Sequence, residues 1–189
     1  MNNLSAPPLF SSLPASVLAR LKSGGWSGTP PALVLLGTEQ RLYCIENKSI
    51  LGVWPVSTGA AGFGNRENSG RTPTGLHRIH SAIGHDAPLG MAFKGRQATG
   101  EIILDSDDPT QDHITTRILW LEGLEPGFNQ GTGVDTYNRY IYIHGTPQVS
   151  RLGQPASAGC VRMSGEEICH LFPLVGVGTL VLIIPSLES

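Results

Sequence analysis

The chain has 189 residues, 40% of them hydrophobic, only 15% charged, with a net charge of −2. That length supports one core without staples, and the lack of a basic surplus argues against a nucleic-acid partner. The 24 glycines and 14 prolines disfavour a helical bundle, because both residues are poor in helix interiors. They favour short strands joined by tight turns.

In chain order, residues 1–12 read as an extended Pro/Ser-rich segment. Leu13, Val17, Leu18 and Leu21 then fall at helical spacing over 13–22, with Ser12 as N-cap and Gly24-Gly25 as the stop. This N-terminus has neither the basic region nor the continuous apolar region of a secretory signal. No run of 18 apolar residues marks a transmembrane helix. The expectation is a cytoplasmic protein, with a periplasmic one as the alternative if an export signal has been removed.

From Ala32 the texture changes to strands, predicted at 32–37, 41–46 and 50–59. Residues 60–75 are nearly all turn formers, and a long irregular loop of that kind is commonly functional. The stretch 76–90 fits neither period cleanly. Strands are predicted at 101–104 and 114–121, and 127–133 reads as a loop. The clearest alternation in the chain is at 139–145. A helix is expected over 165–175, capped by Ser164, with Glu166 and Glu167 in its first turn, where the helix dipole favours them. A buried strand at 179–184 closes the pattern. Residues 1–31 are read as an N-terminal extension and 32–186 as one catalytic unit.

Three cysteines cannot all pair, so at least one thiol is free, which fits a reducing compartment. Cys44 lies inside an alternating strand and Cys169 on the apolar side of a helix, so both read as core. His77, His80, His85, Asp86 and His113 match no strong zinc template; solvated loop histidines are expected, and neither a metal nor another cofactor is predicted.

Cys160 is different in context. His144 ends the best strand, and 16 residues later Cys160 follows a polar, Gly/Pro-rich loop in the setting Ser157-Ala158-Gly159-Cys160-Val161-Arg162. A thiol attacks as its thiolate, and its ordinary pKa is about 8.5. An adjacent imidazole can take its proton, and backbone N–H groups in a glycine turn can hold an oxyanion. Gly159 permits close backbone approach or positive φ. Arg162 supplies a cation for a carboxylate or for bracing the loop.

The pattern His144-Gly145-Thr146 followed by Ser157-x-Gly159-Cys160-Val161-Arg162-Met163 resembles the signature of L,D-transpeptidase catalytic domains of the YkuD type. Upstream, Ser57-Thr58-Gly59 and Thr72-Pro73-Thr74-Gly75 through Ile79 are similar to another segment of that family, so the resemblance covers roughly residues 32–184. It implies a mostly β fold, a mixed β-sandwich with a few short helices. It implies Cys160 as nucleophile, His144 as base and Gly145 as the residue whose backbone orients the ring. Ser157 and Gly159 would shape the turn, and the Cys160 N–H would serve the oxyanion. Arg162, Tyr142 and Arg151 would face substrate, with Lys94 a further candidate for a carboxylate. Two positions depart from the family: Ala158 stands where many members have His or Arg, and His77 where relatives have Phe or Tyr.

The implied substrate is a peptidoglycan tetrapeptide or muropeptide, cut between the third stem residue (diaminopimelate) and D-Ala through a thioester. Water as acceptor makes the protein an L,D-carboxypeptidase of muropeptide recycling, the reading favoured by the missing signal. An amine acceptor would make it a cross-linking transpeptidase, and a non-catalytic wall-fragment-binding module is a further alternative. A papain-like amidase is disfavoured because its cysteine precedes its histidine; a zinc D-Ala peptidase would be sensitive to chelators. The oligomeric state is not fixed by the sequence.

Overall fold

The computed structural model describes residues 14–187, apart from 48, 107, 109 and 110. The expected Ser12 cap therefore lies outside the described residues. Helix α1 (Ala15–Ser23) is followed by strands β1 (Ala32–Leu36), β2 (Arg41–Glu46), β3 (Ser49–Pro55), β4 (Gly75–Ile83), β5 (Met91–Lys94), β6 (Gln97–Ile102), β7 (Ile114–Gly123), β8 (Tyr142–Thr146) and β9 (Val161–Ser164). Helix α2 (Gly165–Leu171) and strand β10 (Leu180–Ile184) complete the chain.

All ten strands belong to one mixed sheet in the order β3-β2-β1-β10-β4-β7-β5-β6, with β8 added to β7 and β9 to β8. The mostly β, mixed architecture expected from the sequence holds. Its layers are made by a single sheet that curls and branches at β7. That strand is long enough to pair with β4, β5 and β8 in turn. The branch sits at Thr115–Ile118, where the register with β8 shifts and Thr116 takes a φ of 67°, the mark of a bulge.

β1 is a continuous apolar run because both of its faces are covered. Leu33 and Leu35 enter the central core with Leu119, Leu121, Ile143, Val161 and Met163. Val34 and Leu36 face the other way, towards Val17 and Leu21 of α1. Each fully buried Leu, Ile or Val side chain stabilises the fold by about 1.5–3 kcal/mol. α2 starts at its expected cap: the Ser164 hydroxyl accepts the Glu167 N–H at 3.1 Å and donates to the Glu167 carboxylate at 2.9 Å. It ends at Leu171, short of the expected 175, where the turn Phe172–Leu174 with Pro173 takes over.

Three local expectations are corrected. The strand expected at 101–104 lies at Gln97–Ile102, paired in a hairpin with β5, which the sequence reading lacks. The strand expected from 139 begins at Tyr142, because Arg139, Tyr140 and Ile141 donate their N–H groups to Asp135, Tyr137 and Thr136 in a turn and Tyr140 is left-handed, with φ 55°. A short strand, β9, separates Cys160 from the helix that follows. Cys44 is core, as expected, whereas Cys169 is only partly buried.

Candidate active site

The site is built on β8 and β9, a parallel pair in which Ile143 faces Val161 and His144 faces Arg162. Side chains alternate along both strands. Ile143, Val161 and Met163 point into the central core. Tyr142, His144, Cys160 and Arg162 therefore share the opposite face. Tyr142 and Cys160 pack there with Trp120, Ile118 and Phe93.

Cys160 sits at the head of β9, partly buried. Its sulfur accepts the Tyr142 N–H at 3.4 Å, and its thiol lies 3.5 Å from the Tyr140 carbonyl. Burial pushes the thiol up to about 11; the Tyr142 N–H, Arg162 and Arg139 oppose the rise, and Asp112 adds to it. The resting thiol is thus neutral, with an N–H donor already at the sulfur.

His144 is 1% exposed. Its Nδ1 lies 2.8 Å from the Gly145 carbonyl, so the proton resides on Nδ1 and Nε2 presents its lone pair. Burial lowers the pKa of the ring, opposed by Asp112 and by the Gly145 bond, and the imidazole is neutral at physiological pH. Gly145 is required here: a Cβ would lie 2.6 Å from the Thr115 carbonyl oxygen.

The cysteine turn is fixed by hydroxyls. Ser157 Oγ donates to the Cys160 carbonyl at 2.6 Å and accepts the Gly159 N–H at 3.1 Å. Thr72 donates to the Gly159 carbonyl at 2.9 Å and accepts the Gly59 N–H at 2.8 Å, tying the long 60–75 loop to the turn. Gly159 has φ 126°, and a Cβ there would come within 3.2 Å of the Arg71 carbonyl. Ala158 is exposed.

Arg162 lies beneath the site. It is 4% exposed, with Nη1 donating to Gln148 Oε1 at 3.0 Å and Nη2 meeting Asp112 at 2.7 Å. Gln148 in turn holds the carbonyls of Asp108 and Gln111. Arg162 is placed as a brace rather than as a surface contact for substrate. Arg151 lies in the single turn Val149–Arg151 beyond the far end of β8. Its neighbours Val149 and Leu152 line a hollow of about 910 Å³ with Thr146, Ser164 and Glu167. Neither the thiol nor the imidazole is on that wall. Lys94 is exposed. Tyr142 is brought to the thiol, and its phenol accepts from Arg96 Nη1 at 3.1 Å.

Several participants carried no signal in the sequence reading: Asp112, Gln148, Arg139 and Arg96. Arg139 donates to the Gly64 and Arg71 carbonyls, joining the strand turn to the 60–75 loop. Of the histidines expected to be solvated, His77 needs correcting. His77 is fully buried rather than solvated, its Nδ1 on the Gly75 carbonyl at 3.0 Å and its Nε2 on Thr136 Oγ1 at 3.1 Å, and burial lowers its pKa to about 4. His80 packs at a tilt against Tyr137, with ring centres 4.6 Å apart, and His85 is open to solvent, as expected.

A thiol at the head of one strand and a neutral imidazole on its parallel neighbour share one face of a mixed β fold. The model of the L,D-transpeptidase catalytic domain (YkuD) matches residues 31–183, and the chain belongs to that family. The candidate L,D-transpeptidase YqjB of Bacillus subtilis (strain 168) is 46% identical over 48 residues, 25% of this chain and 27% of that protein. Among solved structures, an L,D-transpeptidase from Mycobacterium smegmatis superposes with a TM-score of 0.50 at 16% identity, covering 82% of this chain and 58% of that one. L,D-transpeptidase 3 from Mycobacterium tuberculosis, carrying a faropenem-derived adduct, gives 0.51 at 17% identity, covering 81% and 60%. These structures share the fold, and the chain spans about three-fifths of their length and about a quarter of YqjB's.

Proposed function

We propose that the protein cleaves the bond between the third stem residue and D-Ala in peptidoglycan tetrapeptides, by acyl transfer through Cys160, with water as the final acceptor. The observation that carries this reading is the state of His144. Its Nδ1 is engaged by Gly145, and its Nε2 has no hydrogen-bond partner among the described residues on the face it shares with Cys160. That nitrogen is the base the thiol needs.

His144 Nε2 takes the Cys160 proton as sulfur attacks the carbonyl carbon of the third residue. The negative charge on the carbonyl oxygen is met by the N–H of Cys160 at the head of β9. The C–N bond breaks, the proton passes from His144 to the departing amine, and D-Ala leaves with a thioester remaining on Cys160. Water then gives a proton to His144 and adds its oxygen to the thioester carbon. The thiol leaves with that proton and a tripeptide is released.

The small acceptor is favoured by the Arg96 side chain, which lies across Trp120 and Tyr140 and reaches Tyr142 beside the sulfur, narrowing the approach. Cross-linking to an amine is the second reading, favoured by the transpeptidase names of the structures that share the fold. Mass spectrometry of a tetrapeptide digest, with and without an amine acceptor, separates them: tripeptide alone supports hydrolysis, and a joined product supports transpeptidation. Full D-Ala release by Cys160→Ala would end the thiol mechanism, and a carbapenem mass adduct on Cys160 would exclude a merely binding module.

A further inference from the structure

The β5–β6 hairpin forms one edge of the sheet, and its tip carries a cation to Tyr142, the residue beside the Cys160 sulfur. Lys94 pairs with Gln97, and the two residues between them, Gly95 and Arg96, have φ of 56° and 69°. This is the tight mirror-image turn that suits twisted strands. It sets the Arg96 guanidinium 4.6 Å from the Trp120 ring centre and 5.3 Å from that of Tyr140, with Nη1 donating to the Tyr142 phenol at 3.1 Å.

The arginines of the molecule differ in their partners, and Arg117, like Arg96, lies by an aromatic ring but is also held by two carbonyls. Arg162 meets Asp112, Arg78 meets Glu122 and Arg20 meets Glu125. Arg139 is engaged by two carbonyls. Among the described residues Arg96 meets no carboxylate. It is held by aromatic faces and one phenol, which orient a guanidinium without neutralising it. A guanidinium has five N–H donors in a planar fork, and only one donor group has a described hydrogen-bond partner.

We propose that Arg96 is the receptor for a carboxylate of the acyl-donor peptide, an inference that rests on the donor assigned above. Tyr142 links the two ends: its backbone N–H reaches the Cys160 sulfur and its phenol reaches Arg96. One residue of peptide advances the chain by about 3.8 Å, so a carboxylate one residue beyond the attacked carbonyl falls within the span of that tyrosine. The fork of Arg96 receives it in bidentate fashion. The D-Ala terminus and the side chain of diaminopimelate both present this chemistry.

The test measures binding of three peptides to the full chain carrying Cys160→Ala, by calorimetry, with and without Arg96→Ala or Arg96→Lys. The peptides are the free-acid tetrapeptide, its C-terminal amide, and a free acid with lysine in the third position. Arg96→Ala is expected to weaken the free acid about 10- to 100-fold, the worth of a charge-assisted bond, with Arg96→Lys in between. If the amide alone abolishes the difference, the terminal carboxylate is the ligand; if the lysine peptide alone does, it is the third-residue carboxylate. An equal loss on all three peptides, no loss, or no binding overturns the role of Arg96. Thermal melting of the variants registers any loss of fold. Release of D-Ala by the unmodified protein tests the donor assignment separately: no release overturns that reading, whatever the binding shows.

Discussion

Two buried histidines occupy similar positions in different regions of the sheet and do opposite things. His77, on β4, and His144, on β8, both place Nδ1 on a glycine carbonyl, that of Gly75 and that of Gly145. Burial lowers the pKa of both rings. They differ at the other nitrogen. Thr136 caps Nε2 of His77, which makes that ring a structural strut, whereas Nε2 of His144 has no described protein partner. Burial and an oriented ring are shared by both; only the ring whose second nitrogen has no described protein partner can serve the base role proposed above.

The strongest way to break this contrast is to exchange the rings for inert ones. His144→Ala is expected to lower D-Ala release about 10²- to 10⁴-fold, while His77→Phe retains activity; equal losses in a steady-state assay would erase the distinction.

A second route goes through the support. Asp112→Ala leaves the buried Arg162 guanidinium without its counter-charge, at a cost of about 3 kcal/mol in denaturant unfolding. Because Asp112 raises the pKa of His144, the acid limb of the pH–rate profile should also move to lower pH.

Proton linkage gives a third. In the fold His77 stays neutral down to about pH 4, while an unfolded imidazole protonates near 6.5. Between those values the unfolded chain binds more protons, so stability falls as pH drops through that window, by roughly 3 kcal/mol in all. His77→Phe should flatten this slope in urea titrations at pH 4–7; an unchanged slope would place its origin elsewhere. The smallest effect is expected from Thr136→Val, about 1 kcal/mol for one lost hydrogen bond, with D-Ala release unchanged.

The proposed nucleophile and base were legible in the sequence through the family pattern, because Cys160 and His144 lie 16 residues apart in one stretch that resembles it. The helix at 165–171 was legible from Ser164 and Glu167, whose cap is a local interaction. What stayed hidden is set by distant closures. Asp112 and Gln148 meet around Arg162, and Arg96 reaches Tyr142, with no periodicity to announce either contact. β5 and β9 are four residues each, too short for alternation to register. His77 looked like a loop histidine because the strand that buries it begins at a turn-forming glycine.

The hydroxyl of Thr72 has a consequence for the order in which the chain assembles. Its bond to the Gly159 carbonyl joins residues 87 apart in sequence, and the Ser57–Arg162 bridge spans a still longer separation. Contacts of such long range form late, after the loops between them have been closed. The thiol therefore becomes competent only when most of the chain is already in place. During refolding, recovery of Cys160 acylation should trail the far-ultraviolet signal of the sheet, making the nucleophile a reporter of the final closure.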